Sequence, residues 1–260
     1  MPTGSATSSR SDPDRAVMID LYYYPSPNVR KIVIALEELA LPYAVRWTDI
    51  TAGDQFTDAY RAVNPNGKVP AIVDHDGPGG EPVTVFESAA ILLYLAEKTG
   101  RLLPADPVRR WTAVSWLAWQ VANHGPMTGQ ATHFLRYAPE QGIDDAYALD
   151  RYGREVQRLY GVLDERLTGR DYLADEFSVA DIACFPWVRV AKGHGVDLDR
   201  FPAVQAWSAR IAARPSAKVQ LADPATGSTE RTTPFTAEQF ATLMRSGPAP
   251  RPRSTTEQAP

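Results

Sequence analysis

The chain has 260 residues, enough for two modest domains that each bury a core. Apolar residues make up 44% of it and the net charge is −4, which excludes the basic field that nucleic-acid binding needs. No apolar run reaches the roughly 18 residues of a membrane span, the amino-terminal segment lacks the apolar centre of a secretion signal, and the single cysteine, Cys184, excludes an internal disulfide and any CxxC redox pair. Together these features predict a cytoplasmic protein with no membrane and no nucleic-acid partner.

Residues 1–17 are rich in Ser, Thr, Pro, Asp and Arg and are expected to form a disordered tail. Folded structure is expected from 18. Ile19 to Tyr24 reads as a buried strand and Pro25-Ser26-Pro27-Asn28 as a turn. Val29 to Leu39 has helical spacing, with Val29, Ile32, Val33, Leu36 and Leu39 on one face. Tyr43 to Trp47 reads as a second strand parallel to the first, completing a βαβ unit. A short helix over Gln55–Val63 and a turn at Asn64–Gly67 follow. Lys68 to Val73 reads as a strand that contains Pro70, and Asp76 to Glu81 as a hairpin turn leading to a partner strand, Val83 to Phe86. Glu87-Ser88 opens an apolar helix that runs to Ala96. This order predicts a four-stranded mixed sheet with helices over 18–100.

Beyond a linker at 101–106 the pattern turns helical, with helices expected over Trp111–Asn123, Tyr147–Leu167, Val179–Lys192 and Pro202–Ala213. An α/β domain is thus followed by an all-α domain over 106–221. Residues 222–260 are expected to be mostly disordered, with a short amphipathic helix within Phe235–Met244.

Several residues have chemistry to offer. Ser26 before Pro27 has the form of a helix N-cap followed by proline at the first helical position. Such an end presents free N–H groups and a partial positive charge, which hold an anion and pull a thiol toward thiolate. The Ser26 hydroxyl adds a donor for a sulfur, although these residues taken alone read first as a simple helix cap. Val69 precedes a proline, which suits a strand edge and leaves its N–H and C=O available to an extended peptide-like ligand. Glu87 and Ser88 sit between strand and helix. The serine hydroxyl and helix N–H groups suit a carboxylate and the Glu87 carboxylate an ammonium, so the pair suits the α-amino-acid end of a ligand; capping is the alternative. Ser178-Val179-Ala180-Asp181 matches a structural capping box. Cys184 lies in an apolar run and reads as an inert buried thiol, and the histidines at 75, 124, 133 and 194 lack metal-ligand spacing, so no metal is expected.

Three strings, NPNGKVPAIVD, FESAAILLYLAEKTG and SVADIACFPWV, resemble signature stretches of the glutathione S-transferase superfamily. The resemblance covers about 18–215 and implies a thioredoxin-like amino-terminal domain with a cis bond before Pro70, followed by an all-helical carboxy-terminal domain. Ser-Pro-Asn near the start, GDQF at 53–56 and GPMTGQ at 125–130 further resemble the Nu class, which includes bacterial disulfide-bond reductases and fungal nitrogen-regulator relatives. That class usually carries threonine where Ser26 stands; the hydroxyl is retained.

The resemblance implies site residues. Ser26 and Asn28 would meet the glutathione sulfur as the catalytic pair. Gln55 would contact the glycyl carboxylate, Val69 would pair with the cysteinyl backbone, and Glu87 and Ser88 would hold the γ-glutamyl end. Arg151 would reach the bound thiol from the helical domain, with Lys68 a further contact, and Gln130, His133 and Phe134 would line the co-substrate pocket. The implied activity is glutathione-dependent disulfide reduction or glutathione transfer to an electrophile, with glutathione as co-substrate, a small-molecule disulfide or electrophile as partner, and a homodimer as the assembly. A non-catalytic glutathione-binding regulatory module and a C–S bond-forming or isomerase enzyme of secondary metabolism remain as alternatives.

Overall fold

The computed structural model describes residues 18–224, 226, 227, 229 and 234–244. The tail expected at 1–17 and much of that expected at 222–260 lie outside the described residues.

A four-stranded sheet in the order β2-β1-β3-β4 forms the amino-terminal layer. Strand β1 (Ile19–Tyr23) runs parallel to β2 (Tyr43–Trp47), and Leu21 faces Val45. It runs antiparallel to β3 (Ala71–Asp74), where Leu21 faces Ile72. Strand β4 (Val83–Phe86) closes the hairpin with β3. Lys68 to Pro70 precede the ladder instead of joining it. Proline has no N–H to give, and pairing starts at Ala71 opposite Phe86. The Val69–Pro70 bond is cis. The helical turn expected over Gln55–Val63 is split into a 3-10 turn, Asp54–Phe56, and a helix, α2 (Asp58–Val63).

Helix α1 (Pro27–Leu39) follows β1 directly. It is covered on more than the one face its apolar spacing predicts. Lys31 is 1% exposed and Ile32, Val33, Ile34, Ala35 and Leu36 are fully buried, because α1 packs between α3 (Ser88–Thr99) and α7 (Val179–Val188) of the helical layer. Each such aliphatic side chain contributes roughly 1.5–3 kcal/mol over exposure. One continuous apolar core therefore joins sheet, α1, α3 and α7.

The helical layer begins earlier than expected. Helix α4 (Pro107–Trp119) starts at Pro107, where Asp106 accepts from the Arg109 backbone N–H at 2.9 Å. It continues without a loop through a π-helical turn, Gln120–His124, into α5 (Gly125–Thr132) and a second π turn, His133–Tyr137. Gly125-Pro126 reads as a breaker in sequence; in the structure the widened turn absorbs it. Helix α6 (Ala146–Leu167) matches its expected span within a residue. Helix α7 ends at Val188, shortly after Pro186, and a separate 3-10 turn covers Ala191–His194. Helix α8 (Pro202–Ala212) and a short α9 (Pro215–Lys218) complete the layer. Ser178 and Asp181 form the expected capping box. The carboxy-terminal amphipathic stretch forms α10 (Ala237–Met244), whose Phe240 stacks on His133 with ring centroids 5.9 Å apart.

Candidate functional site

The first turn of α1 carries the centre of the site. Ser26 is the N-cap in extended conformation, and its Oγ accepts from the Val29 N–H at 3.3 Å. The cap uses the oxygen as acceptor, so the hydroxyl hydrogen stays available to a sulfur. Asn28 is half-buried. Its Oδ1 accepts from the Trp187 indole at 3.1 Å, which leaves the side-chain NH₂ as the part able to donate. Ser26 opens onto a cavity of about 370 Å³ lined with Tyr23, Pro25, Arg30, Arg189 and Leu221.

Two features of that cavity were not legible in the sequence. Arg30 donates to the carbonyls of Ala217 and Val219, and Arg189 donates to Ala217 at 3.5 Å. The two guanidiniums thereby tie the segment after α9 across the start of α1. Burial, and then the neighbouring Arg189 charge, lower the Arg30 pKa. The Tyr23 hydroxyl donates to Leu221 at 3.3 Å, and the rings of Tyr23 and Tyr24 pack on Trp47; Tyr23 ends β1, and Tyr24, expected within that strand, lies just beyond it.

The start of α3 is the second element. Glu87 is the N-cap by position, yet its side chain makes no cap bond, and its φ of 67° is a conformation that non-glycine residues seldom adopt. Backbone strain of this kind collects at binding sites. The exposed Glu87 carboxylate accepts from Asn66 Nδ2 at 3.2 Å. Ser88, 6% exposed, accepts at its Oγ from the Lys31 ammonium at 3.2 Å. Lys31 also donates to Gln120 Oε1 at 2.6 Å. Burial lowers the Lys31 pKa to about 7, opposed by Cys184 and Glu87. Lys31 and Gln120 fall outside any motif. The one hint is a lysine inside an apolar helix.

The remaining expected residues are spread out. Val69 is half-buried just ahead of the ladder. Gln55 is 4% exposed, its Nε2 donating inward to Ile50 at 3.0 Å, and its Oε1 is buried without a partner among the described residues. Lys68 is exposed, and its carbonyl accepts from Tyr60 and Asn64 at 2.6 Å. Arg151 is exposed on α6 and lines a different cavity, of about 450 Å³, with Tyr147, Tyr152, Arg154 and Arg158. The structure does not bring it into the cavity of Ser26. His133 meets Phe134 edge to face at 4.9 Å, and Phe134 stacks at 5.6 Å on Tyr152, which lines the Arg151 cavity. Gln130 is exposed on α5. Cys184 is fully buried, and burial pushes its thiol far above the ordinary range, which makes it a packing residue. Among the described residues no three His, Cys, Asp or Glu side chains gather as a metal site requires, and no helix is long and apolar enough to cross a membrane.

The sequence profile of the glutathione S-transferase N-terminal domain matches residues 25–98, and that of the C-terminal domain matches residues 130–215. The chain belongs to the glutathione S-transferase family.

Within that family the chain is 47% identical to the disulfide-bond oxidoreductase YfcG of Escherichia coli over 213 residues, which cover 79% of this chain and 98% of the relative. It is 36% identical to a second E. coli disulfide-bond oxidoreductase, YghU, covering 84% and 78% of the two chains. A Pseudomonas putida glutathione transferase, solved with one glutathione disulfide bound per subunit, superposes with a TM-score of 0.75 at 42% identity over 79% of this chain and 91% of the other. A Pseudomonas fluorescens family member with two glutathione molecules bound has a TM-score of 0.74 at 41% identity over 78% and 92%. These likenesses span both layers of the glutathione S-transferase fold described above.

Proposed function

We propose that this chain is a glutathione-dependent disulfide-bond oxidoreductase. The observation that carries this reading is the pairing of a Ser26 hydroxyl and an Asn28 carboxamide at the start of α1 with a protein thiol, Cys184, sealed in the core. The sulfur must then come from the ligand. A glutathione whose sulfur lies at this helix start is stabilised as thiolate by the helix dipole and by donors from Ser26 and Asn28. That thiolate attacks one sulfur of a disulfide substrate, forms a glutathione mixed disulfide and expels the second sulfur as a thiolate, which takes up a proton. A second glutathione thiolate then attacks the mixed disulfide. Glutathione disulfide leaves, and the substrate's remaining sulfur departs as thiol. Two electrons pass from two glutathione molecules to one disulfide.

In the same reading Glu87 and Ser88 hold the γ-glutamyl end, Val69 offers its backbone to the cysteinyl residue, Gln55 serves the glycyl end, and Arg151 belongs to the wider thiol site. Transfer of the same thiolate to an electrophilic carbon is the second reaction open to such a site. Because the chemistry consumes reduced glutathione, we assign the enzyme to the cytoplasm, where thiols are kept reduced. We also assign it a homodimeric state. Val108 and Trp111, 75% and 68% exposed on α4, form an apolar face that a second copy would cover.

The test is glutathione-dependent reduction of hydroxyethyl disulfide by the purified chain, with Cys184→Ala as control. Retained turnover in that variant is expected. Loss of turnover in a folded Cys184→Ala protein, or no turnover in the parent, overturns the reading. Tight glutathione binding without turnover would instead favour a regulatory module.

A further inference from the structure

The Lys31 ammonium sits at the meeting point of both layers, 1% exposed, one hydrogen bond behind the start of α3. A charged lysine there costs much desolvation, and a purely structural position would be served as well by methionine. What the position holds is a relay. Gln120 Oε1 accepts from Lys31 at 2.6 Å, and Lys31 donates to Ser88 Oγ at 3.2 Å. Gln120 is itself fully buried and placed by the π turn that begins with it. A side chain at Gly125 would bring a carbon within 2.7 Å of Gln120 Nε2, so the glycine leaves room for this arrangement.

The consequence for Ser88 is chemical. Its hydroxyl has one hydrogen and two lone pairs. With the ammonium donating to the oxygen, the hydrogen cannot point back toward Lys31 and is directed away from the core. Resting on the function proposed above, we propose that Lys31 is a positioning residue of the glutathione site: its ammonium, held by Gln120, aims the Ser88 hydroxyl at the γ-glutamyl carboxylate and supplies the positive charge behind it. Lys31 does not touch the ligand. It acts through Ser88, and the helical layer, through Gln120, thereby tunes a site that belongs to the sheet layer.

The groups facing Lys31 make the role measurable. Glu87 faces it from the start of α3, Cys184 from α7, and His124 from the π turn. Burial holds His124 neutral by lowering its pKa to about 3, and burial keeps the Cys184 thiol protonated. Titration between pH 6 and 8.5 in this cluster is therefore that of Lys31, whose pKa burial lowers to about 7. A bound carboxylate favours the charged form, so binding draws in a proton on the alkaline side of that value.

The experiment is calorimetric binding of S-methylglutathione, which has no titrating thiol, to the full chain at pH 6 to 8.5, with thermal unfolding measured in parallel. Lys31→Met, Ser88→Ala and the double variant are compared. Affinity of the parent is expected to fall as pH rises through the window. Lys31→Met should bind about tenfold more weakly at pH 6, with a flat profile, and should add little to the loss in Ser88→Ala. A lysine with only a structural role would lower the unfolding temperature and leave the pH profile unchanged, which overturns the proposal. If Lys31→Met does not fold, the parent alone decides. Binding enthalpies in buffers of different ionisation heat should reveal proton uptake at pH 7.5 and little at pH 6, and equal uptake at both overturns it. Failure of the parent to bind at all overturns the functional reading, and this role with it. Binding by the parent with undiminished affinity in Lys31→Met overturns this role alone.

Discussion

The indole of Trp187 donates to Asn28 across 159 positions of sequence, at 3.1 Å, and so a residue of α7 sets the side-chain orientation of a residue on the first turn of α1. The bond occupies the carboxamide oxygen and leaves its NH₂ as the donor that the proposed function assigns to Asn28. Trp187→Phe keeps the ring and deletes the donor. We expect a five- to tenfold fall in kcat for disulfide reduction, on the order of 1 kcal/mol of transition-state stabilisation. Thermal stability should change little. Steady-state kinetics alongside calorimetric melting will check both, and an unchanged kcat would show that Asn28 needs no such anchor.

Ser26 is the N-cap of α1 and, in the function proposed above, also a donor to the glutathione sulfur. Ser26→Ala should cost about 1 kcal/mol of stability through the cap. It should also raise the pKa of the bound glutathione thiol, because one donor to the thiolate is gone. Ser26→Thr should restore both properties. Ultraviolet thiolate absorbance of the complex against pH measures the second effect. A bound thiol whose pKa is the same in all three proteins would assign Ser26 to capping alone.

Asp181 is fully buried and accepts from Leu173 N at 3.0 Å, Trp207 Nε1 at 2.8 Å, and the N–H and Oγ of Ser178 at 3.0 and 3.2 Å. Asp181→Ala strands these donors in the core. We expect a loss of at least about 3 kcal/mol, enough to lower the melting temperature by several degrees. Differential scanning calorimetry should find it, whereas a loss under about 1 kcal/mol would mean that the loop before α7 rearranges to satisfy them.

Acid sensitivity should have an identifiable origin. Burial lowers the pKa of His124 to about 3 and that of His194 to about 4. Both values lie below the unfolded one of about 6.5. The unfolded chain therefore binds more protons, and stability present above pH 6.5 is lost progressively as pH falls toward 4. Asp181 works the other way. Burial raises its pKa to about 6, so its contribution is largest at low pH and is lost as pH rises through 6. The two histidines outweigh the one carboxyl. His124 stacks on Trp119 at 5.4 Å with no partner for either ring nitrogen among the described residues, so His124→Phe should keep the stacking and remove up to about 3 kcal/mol of the loss at pH 4. Denaturant melts at pH 4 and 7 for both proteins provide the comparison. Equal pH dependence in the two would clear His124.

Local chemistry made some features legible in the sequence. Ser26-Pro27 announced a helix start, Ser178 and Asp181 a capping box, and the alternation of strand and helix a mixed sheet; each rests on contacts within a few residues. Helix ends were less legible. The run Gly125-Pro126 has every mark of a break, and only the π turn, held by packing against α6 and α7, carries the helix through it.

The thiol site divides along the same line. By itself the sequence determined a helix N-terminus bearing Ser26 and Asn28, a strand-to-helix junction bearing Glu87 and Ser88, and a proline directly after Val69, because backbone chemistry at those positions depends on near neighbours; the positive φ of Glu87 and the start of the ladder at Ala71 came from the structure. The tertiary structure alone decided that Trp187 orients Asn28, that Arg30 and Arg189 tie down the segment after α9, and that Lys31 lies buried behind Ser88. Those relationships join residues tens to hundreds of positions apart, and they exist only because α1 is enclosed between the sheet and the helical layer.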